Sequence, residues 1–486
     1  MTIKRYIADK DTTITNAFKS NLTTRGTGSN MGGSDILEVF SIYGQADSGS
    51  LEKTRFLVNF PVSTISSDRT AGTIPASGSV NFYLRMFNAR HAYTLPRDYT
   101  LTITAVSRSW EEGSGVDMDE YTDITHDAEG ANWINAASGT TWTTQGGDYH
   151  TAAYNPGTTM PTYNPTFSNG TEDIEVDVTS MVEEWLTNTY THQTNYGVGV
   201  ALTASQEGAS RSYYTKKFFG RTSDSFFKRP YLEARWNSAK KDDRGNFYAS
   251  SSLASATDNL NTLYLYNYVR GKLSDIPGVG TGNIYLQVYT ARSSGSVIKT
   301  TTPKYPVTGG HVSTGIYSAS FALTTTATTV YDRWFKSGLA TCYHTGTVSV
   351  NILKTTEGNP KFEYATKITN IKPVYARTET ARMRLFARQK DWSPTIYSVA
   401  NTIAQNSIIE SGSYRVVRMV DGLEVVPFGT GSTLHTQLSF DVTGSYFDFD
   451  MSLLQSGYAY AFQVAYYNGV LGGWVEQPEL YKFRVE

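Results

Sequence analysis

The chain has almost no cysteine, almost no net charge and no long apolar run. Its 486 residues include one cysteine, Cys342, which excludes an internal disulfide framework and is typical of a protein folded in a reducing cytoplasm. The formal net charge is −2 at pH 7, so no basic surface is available for phosphates or anionic lipids. No segment approaches the roughly 18 consecutive apolar residues that a membrane span needs. Nucleic-acid and membrane partners are therefore not expected.

The usual signals of export and of catalysis are missing as well. The first residues, MTIKRYIADKDTTITNAF, lack the apolar region of a signal peptide, so we expect synthesis in the cytoplasm without an export address. The seven histidines are scattered without metal-ligand spacing. No nucleophile elbow, phosphate loop or dinucleotide fingerprint is present. The sequence therefore predicts a protein that is not an enzyme.

What the chain does have is residues that favour strands and turns. Its 34 tyrosines and its abundant threonine, serine and glycine suit pleated, half-buried surfaces and the tight connections between them. Period-two alternation recurs along the whole length, as in VSVNIL at 348–353. Short strands between Gly, Asn, Ser and Thr clusters predict an all-β protein made of tandem antiparallel β-sandwich domains.

Punctuation in the sequence predicts three such domains. The charged stretch NSAKKDDRGN at 237–246 follows a strand that ends a unit, so the first sandwich is predicted over 1–237 and a linker over 238–246. The second sandwich, a virion-assembly domain in the interpretation given below, is predicted over 247–375. The third, over 376–486, is predicted to be immunoglobulin-like or fibronectin-like.

One helix is predicted, at about 179–189 in the first domain. Within DVTSMVEEWLTNTY, apolar residues recur at the spacing of a single helical face, and Ser180 and Glu183 have the spacing of a capping box. Trp185 belongs to that apolar face. We therefore predict that Trp185 anchors the helix in the core.

Two acidic stretches are candidate sites. Glu111 and Glu112, in SWEEGSG at 109–115, are adjacent, and adjacent residues on a strand point to opposite faces, so they are not expected to form the facing carboxylate pair of a glycosidase. VDMDEYTDITHDAEG at 116–130 is dense in carboxylates. A calcium loop of the EF-hand type would need glycine where Thr122 stands. A solvated loop without a cofactor is the favoured interpretation. An irregular Ca²⁺ site is the alternative, with the weak candidate ligands Asp117, Asp119, Asp123 and Asp127.

One strand carries apolar residues on both faces. In LYLYNYV at 263–269 the leucines alternate with Tyr264, Tyr266 and Tyr268. Such a strand should be covered on both sides, by a second sheet and by another chain or domain, or else it exposes a ladder of tyrosines. These three tyrosines are therefore interface candidates.

Several motifs of the first domain occur in the order seen in a known family. They are TRFLVNFPVSTI (54–65), WEEG (110–113), ANW (131–133), TW (141–142), GGD (146–148), DVTSMVEEWL (177–186), NYGVGVAL (195–202), FFGRTS (218–223) and RPYLEARW (229–236). This part of the chain resembles the DNRLRE family, a β-sandwich module that overlaps with a family of carbohydrate-binding modules. The resemblance implies that Trp110, Trp133 and Trp142 are structural anchors and that the two glutamates belong to a loop.

The rest of the chain resembles virion structural proteins of large tailed bacteriophages. The segments are 260–282, 309–321, 390–397, 446–463 and EQPELYKFRVE at 476–486. This resemblance implies a structural part of the tail or baseplate, located in the virion, whose partners are other virion proteins and copies of itself. Tyr481, in a terminal strand that could add to a neighbour's sheet edge, is a further interface candidate.

Two alternatives remain open. The chain could decorate the capsid or neck, or it could be a glycan-binding module that attaches to a cell surface and stacks aromatic rings on sugars. The eight tryptophans are predicted to lie in cores, whereas a glycan platform needs one or two of them in water.

Overall fold

A computed structural model describes residues 2–44, 47, 50–94, 96–118, 130–211, 213–303, 305–353, 363–390, 406–469 and 471–486. The chain divides into two compact units, residues 1–237 and 238–486. Strands dominate both units, so the prediction of an all-β protein built from sandwich-like sheets is confirmed. The number of tandem domains, and with it the division near residue 375, stays a prediction.

The first unit contains fourteen of the described strands. They are β1 Ile3–Ile7, β2 Lys10–Thr15, β3 Ile36–Tyr43, β4 Leu51–Asn59, β5 Asn81–Met86, β6 Tyr99–Ala105, β7 Asn135–Ala137, β8 Thr140–Thr141, β9 Thr162–Tyr163, β10 Thr166–Phe167, β11 Ile174–Asp177, β12 Val198–Leu202, β13 Tyr213–Phe219 and β14 Tyr231–Arg235.

Two sheets of this unit enclose its main core. One has the order β1-β14-β5-β11, and the other has the order β10-β6-β12-β4-β3-β13, with β2 and β9 pairing at its side. Every described strand pair in the two sheets is antiparallel. Alternating side chains such as Phe82 and Leu84 from the first sheet and Val39 and Phe56 from the second share this core. Burial of these side chains is what holds the sandwich together.

Three α-helices are described: α1 Val62–Thr70, α2 Thr179–Thr187 and α3 Ala204–Glu207. The predicted helix is α2, and Trp185 lies on its buried face as expected. The predicted capping box is wrong, because Ser180 already lies inside the helix. Asp177 supplies the N-terminal acceptor instead: its Oδ1 accepts hydrogen bonds from Thr179 N and Thr179 Oγ1, at 2.9 and 2.5 Å.

Helix α1 has no clear periodicity, and the sequence did not predict it. It begins after Pro61, and only Val62 and Ile65 are buried. A bidentate ion pair joins it to α2: Arg69 Nη1 and Nη2 donate to Glu183 at 2.8 and 2.6 Å. Tertiary contact therefore compensates for the weak helix propensity of this serine- and threonine-rich segment.

The second unit contains the remaining described strands. They are β15 Phe247–Tyr248, β16 Asn261–Tyr266, β17 Tyr268–Val269, β18 Lys272–Leu273, β19 Ile284–Tyr289, β20 Val297–Ile298, β21 Val307–Ser313, β22 Ile316–Phe321, β23 Thr329–Phe335, β24 Cys342–Thr345, β25 Val348–Asn351, β26 Tyr364–Ile368, β27 Val374–Tyr375, β28 Thr380–Gln389, β29 Gly412–Arg418, β30 Glu424–Val426, β31 Ser439–Asp441, β32 Gly444–Asp450, β33 Ala459–Asn468, β34 Gly473–Glu476 and β35 Tyr481–Val485.

The first sheet of this unit folds over on itself. Its order is β15-β25-β23-β19-β21-β22-β16, and β21 serves both halves, pairing with β19 through 307–309 and with β22 through 310–313. Leu263 of β16 and Trp334 of β23, from opposite halves, are fully buried in the same core. The bend at Gly309 requires glycine, because an added Cβ would lie 2.6 Å from Ser318 O.

Two further sheets, β26-β28-β32-β31 and β27-β35-β33-β29-β30, pack through aromatic rings. Phe447 of β32 stacks on Tyr414 of β29 with 4.1 Å between centroids, and Phe462 of β33 stacks on Phe483 of β35 at 4.5 Å. Rings of both sheets therefore interdigitate in one layer, as in a face-to-face sandwich.

Residues 238–246, predicted as a linker, are packed against both halves of the second unit. Backbone hydrogen bonds join Asp242 N to Phe440 O and Phe440 N to Lys240 O, at 3.1 and 3.0 Å, which extends β31. On the other side, Asp243 Oδ2 accepts a 2.7 Å hydrogen bond from Thr262 N, at the free edge of β16. The backbone N–H of Tyr264, two residues along the same edge, donates to Asp242. The charged residues that suggested a linker thus cap the edge of β16.

The same segment supplies a buried ion pair. Arg244 donates to both oxygens of Asp332 at 2.7 Å each, and Trp334 Nε1 donates to Asp332 Oδ2, also at 2.7 Å. Asp332 is completely buried. Burial alone would raise the pKa of Asp332, but the hydrogen bonds and charge of Arg244 lower it overall. An added Cβ at Gly346 would lie 2.3 Å from Arg244 Nη1, so the close fit also depends on that glycine.

Within the described residues, no helix has the length and apolar character required to span a membrane.

Replacing Arg244 by methionine should strongly destabilise the second unit. The substitution leaves the Asp332 carboxylate buried without its cation, which typically costs about 3–5 kcal/mol. Urea unfolding of the full chain, followed by circular dichroism, measures the loss. The matched control is Lys372→Met, because the Lys372–Glu379 pair is solvent-exposed (59% and 33% for the two side chains) and its loss should change stability little. Equal losses in both variants would contradict a special role for Arg244.

Candidate functional site

The two glutamates of the WEEG corner have separate structural partners. Glu112 accepts hydrogen bonds from Arg221 Nε and Nη2, both at 2.5 Å, and from Asp11 N at 2.8 Å. Glu111 Oε2 accepts one from Ser138 N at 3.2 Å. The corner therefore joins chain segments and does not present two carboxylates to a substrate.

Asn30 organises the start of the long excursion after this corner. Its Nδ2 donates to Glu112 O and Ala131 O at 2.8 and 2.9 Å, and its Oδ1 accepts from Gly115 N at 2.9 Å. Gly113 has φ +74°, and an added Cβ there would lie 2.3 Å from Asn30 Oδ1. The glycine of the motif is therefore required by close packing as well as by backbone conformation.

Of the four candidate Ca²⁺ ligands in the acidic loop, Asp117 is the one that the structure describes. Asp117 lines an open cavity of about 300 Å³ that is also lined by Thr13 and Glu38. Asp119, Asp123 and Asp127 lie outside the described residues. Among the residues that are described, no group of three or more His, Cys, Asp or Glu side chains is placed to hold a metal ion.

The four candidate tryptophan anchors are buried in the first unit. Trp110, Trp133 and Trp142 share a second core with Ile14 and Leu57. The indole nitrogens of Trp110 and Trp142 donate to the carbonyls of Tyr196 and Asn132, at 2.8 Å each. Trp185 lies in the main core between the sheets.

The tyrosines of β16 are half-buried within the second unit. Tyr264 and Tyr266 stack with 6.2 Å between ring centroids. Burial raises the pKa of Tyr264 to about 12, and burial together with the nearby phenol of Tyr446 raises the pKa of Tyr266. Much of the predicted ladder is therefore covered by the chain itself, through the segment 238–246 and β32.

Tyr268 differs, because the chain leaves the sheet at Asn267 and forms a projecting hairpin. Strands β17 and β18 pair only with each other, across a turn in which Arg270 and Gly271 both have positive φ, of 52° and 80°. Positive φ at both positions is characteristic of a type I′ turn. Every residue from 268 to 273 is exposed. We call residues 267–274 the hairpin.

The hairpin presents apolar and cationic side chains together. Tyr268, Val269 and Leu273 are 57%, 50% and 37% exposed. Arg270 and Lys272 make no ion pair with any residue that the structure describes, unlike Arg55 and Arg221. Exposed apolar groups next to unpaired charges are typical of a protein-binding surface.

The base of the hairpin is held rigidly by hydrogen bonds. Asn267 N donates to Gly315 O at 2.8 Å, and Asn267 Nδ2 donates to Ser274 O at 2.6 Å. Asp275 Oδ1 accepts from Gly315 N at 2.6 Å and lies 3.1 Å from His311 Nε2. These bonds join the hairpin to the turn between β21 and β22, so it projects from a fixed support.

Tyr481 is not displayed on a free surface. Its hydroxyl donates to Thr366 O at 2.6 Å, which links β35 to β26 of the facing sheet. Strand β35 is paired with β33 on one side and with β27 at its C-terminal end on the other. Little of the β35 backbone is therefore available for a strand of a neighbouring chain to pair with.

One tryptophan departs from the prediction that all eight lie in cores. Trp474 on β34 is only half-buried, and its ring meets that of Tyr467 edge-on with 5.9 Å between centroids. Tyr467 is 46% exposed, and Leu471 beside them is 72% exposed. The prediction is wrong for Trp474 because its strand lies at the side of the sheet, paired only with β33. Trp392 lies outside the described residues.

Comparison with known proteins assigns no family. No family model and no curated protein matches the chain. Among solved structures, the adhesin InvE of Yersinia pseudotuberculosis is similar at 12% identity with a TM-score of 0.15, over 49% of this chain and 56% of that chain. A Salmonella alpha-2-macroglobulin is similar at 9% identity with a TM-score of 0.16, over 93% of this chain and 21% of that chain. This chain thus spans less than two thirds of either protein, and likeness at these scores carries no functional argument.

Replacing Asp11 by asparagine should change how stability depends on pH. Asp11 is 1% exposed; its Oδ2 accepts from Arg221 N at 2.6 Å. Burial and the charge of Glu112 raise the pKa of Asp11 to about 7 in the folded chain, against about 3.9 unfolded. The stability that Asp11 contributes is therefore present below pH 4 and is lost as the pH rises to 7. Asp11→Asn should match the wild type at acid pH and exceed it at pH 8, by up to roughly 4 kcal/mol.

Urea unfolding at a series of pH values measures this difference, with Asp148→Asn as a control of opposite sign. Burial opposes ionisation of Asp148, but hydrogen bonds from the amides of Thr143 and Thr144 lower its pKa overall. Asp148→Asn should therefore be less stable than the wild type at pH 8, and this difference should disappear as the pH falls below 4. A pH-independent effect of Asp11→Asn would contradict the assignment.

Proposed function

We propose that this chain is a non-enzymatic structural component of a tailed-phage virion, associated with the tail or baseplate, that acts by protein–protein assembly. In this role it serves as an adaptor or as an attachment point for fibres. It is made in the host cytoplasm and incorporated into the particle with other virion proteins and with copies of itself.

The hairpin carries this proposal. The hairpin is rigidly supported and exposes tyrosine, valine and leucine next to two unpaired cations. Contact of these apolar side chains with water is unfavourable, so binding of a partner that covers them lowers the free energy. Aromatic side chains and arginine are also the residues that most often dominate binding energy at interfaces.

The use of charge supports a structural role. Buried acids and bases such as Glu233 with Arg5, and Asp332 with Arg244, form close ion pairs at 2.7 Å. Arg55 and Glu207 form a further pair, at 2.6 Å. Groups engaged in this way stabilise the fold and are not available as general acids, bases or nucleophiles.

The sequence resemblances supply the setting. The ordered motifs of residues 54–236 resemble the DNRLRE module, and segments of residues 260–486 resemble virion structural proteins. A rigid scaffold of packed β-sheets suits a protein that positions other components of a particle.

Immunogold electron microscopy tests this proposal. Antibody raised against the full recombinant chain is applied to tailed particles purified from the host that produces the chain. Gold at the tail tip is expected. Gold on the head or neck would replace the tail by the decoration role, and particles without gold, when a known virion protein is labelled in parallel, would overturn the virion role.

A glycan-binding role is the second candidate, and the half-exposed pair of Trp474 and Tyr467 favours it. Two neighbouring rings that are open to water can stack on the apolar face of a sugar. In this alternative the chain contacts the host surface directly.

We expect iodide to quench Trp474 preferentially over the buried tryptophans that the structure describes. Trp474→Phe should therefore remove much of the quenchable emission, and Trp334→Phe, which alters a fully buried ring, should leave it unchanged. Protection of the wild type from iodide by a soluble extract of host surface polysaccharide would support glycan binding. The same quenching with and without the extract would contradict it.

A further inference from the structure

We propose that the hairpin of one copy docks into a glutamate-lined groove near the C-terminus of a second copy of this chain. The inference rests on the assembly role proposed above and names both surfaces of one contact. It is carried by the match between the hairpin and this groove in apolar character and in charge.

The groove lies beside β26 and the antiparallel strands β33 and β34. It is open, has a volume of about 320 Å³ and is lined by Tyr364, Tyr466, Val475 and Pro478, among others. Tyr364 and Tyr466 meet edge-to-face with 5.0 Å between ring centroids, and Tyr466 is 2% exposed. The buried ring of Tyr466 supports that of Tyr364, and the partly exposed side chains of Tyr364, Val475 and Pro478 form the apolar wall that a partner can contact.

Carboxylates surround this apolar wall. Among the described residues that line the groove, Glu363, Glu476 and Glu479 are the carboxylates and Lys390 is the cation. Glu363 pairs with Lys390 at 3.1 Å and Glu476 pairs with Arg415 at 3.0 Å, and in both pairs the side chains remain partly exposed. Glu479 makes no ion pair with any described residue. Among the described residues, the carboxylates of the groove therefore outnumber the cations that pair with them.

The hairpin has the complementary pattern. Val269 and Leu273 supply exposed apolar groups, and Arg270 and Lys272 supply cations that can pair with the glutamates of the groove. Complementary charge speeds association and fixes the orientation of docking, and the apolar contact supplies the burial. Other acidic proteins could meet the charge requirement, but this groove also meets the apolar one.

The contact would be heterologous, because the hairpin and the groove are different surfaces of one chain. Repeated head-to-tail docking then forms a closed ring if the rotation closes and an open filament if it does not. Each contact is small, so a pair of copies should associate weakly and longer assemblies should gain from repetition.

Sedimentation velocity of the full chain over a wide range of concentration tests the proposal. The average mass of the sedimenting wild-type species should increase as the protein concentration rises. Arg270→Glu with Lys272→Glu should weaken association by about tenfold or more, and Glu363→Lys with Glu479→Lys should do the same. The decisive sample is an equimolar mixture of the two double variants, in which native hairpins meet native grooves and reversed hairpins meet reversed grooves, so association should return.

Two controls separate docking from general charge effects. Arg292→Glu with Lys299→Glu makes the same change in net charge on exposed residues elsewhere in the second unit and should leave association unchanged. Val269→Ser with Leu273→Ser removes the apolar contact while keeping every charge, and should weaken association. Circular dichroism of each variant confirms that the fold is retained, since all these side chains are at the surface.

Three results would overturn the proposal: a wild type that stays monomeric, hairpin variants that associate normally, or a mixture in which association does not return. These results are separable from failure of the proposed function. Labelled virions together with a monomeric wild type would refute self-docking alone, whereas self-docking of a chain absent from virions would refute only the virion role.

Discussion

The bidentate ion pair between Arg244 and Asp332 is the interaction on which the second unit depends most. A fully buried carboxylate has a large desolvation cost, and Arg244 with Trp334 Nε1 compensates for it. Arg244 belongs to a segment that also extends β31 through Phe440 and caps the edge of β16 at Thr262. One short charged segment therefore fastens the folded-over sheet of residues 247–351 to the aromatic sandwich that follows it.

Ion pairs also engage charged side chains of the first unit. Glu112 pairs with Arg221, Glu183 pairs with Arg69, and Glu233 pairs with Arg5 and Arg235, all within the first unit. In contrast to these groups, Arg270 and Lys272 on the hairpin make no ion pair with any described residue. Their position beside exposed Tyr268, Val269 and Leu273 is what gives the hairpin its character as a contact surface.

The sequence predicts those features that depend on local periodicity. Alternation marks β16, where Leu263 and Leu265 are buried, and apolar spacing marks α2. It fails where tertiary contacts decide the outcome. Helix α1 lacks an amphipathic pattern and is joined to α2 by Arg69, and residues 238–246 read as a solvated linker because the partners of Arg244 and Asp242 lie far along the chain. The hairpin has one local signal, the glycine at the second position of the Arg270-Gly271 turn, but the tyrosine alternation through Tyr268 suggests a continuous strand and obscures it.

Native-state hydrogen exchange of the full chain in increasing urea tests the central claim most directly. If residues 238–246 fasten the second unit together, amides of β16 and β23 should open with those of β28 and β32, at one common free energy. That free energy should fall equally for all four strands in Arg244→Met. Separate opening free energies for the two pairs of strands in the wild type, unchanged by the substitution, would contradict the account.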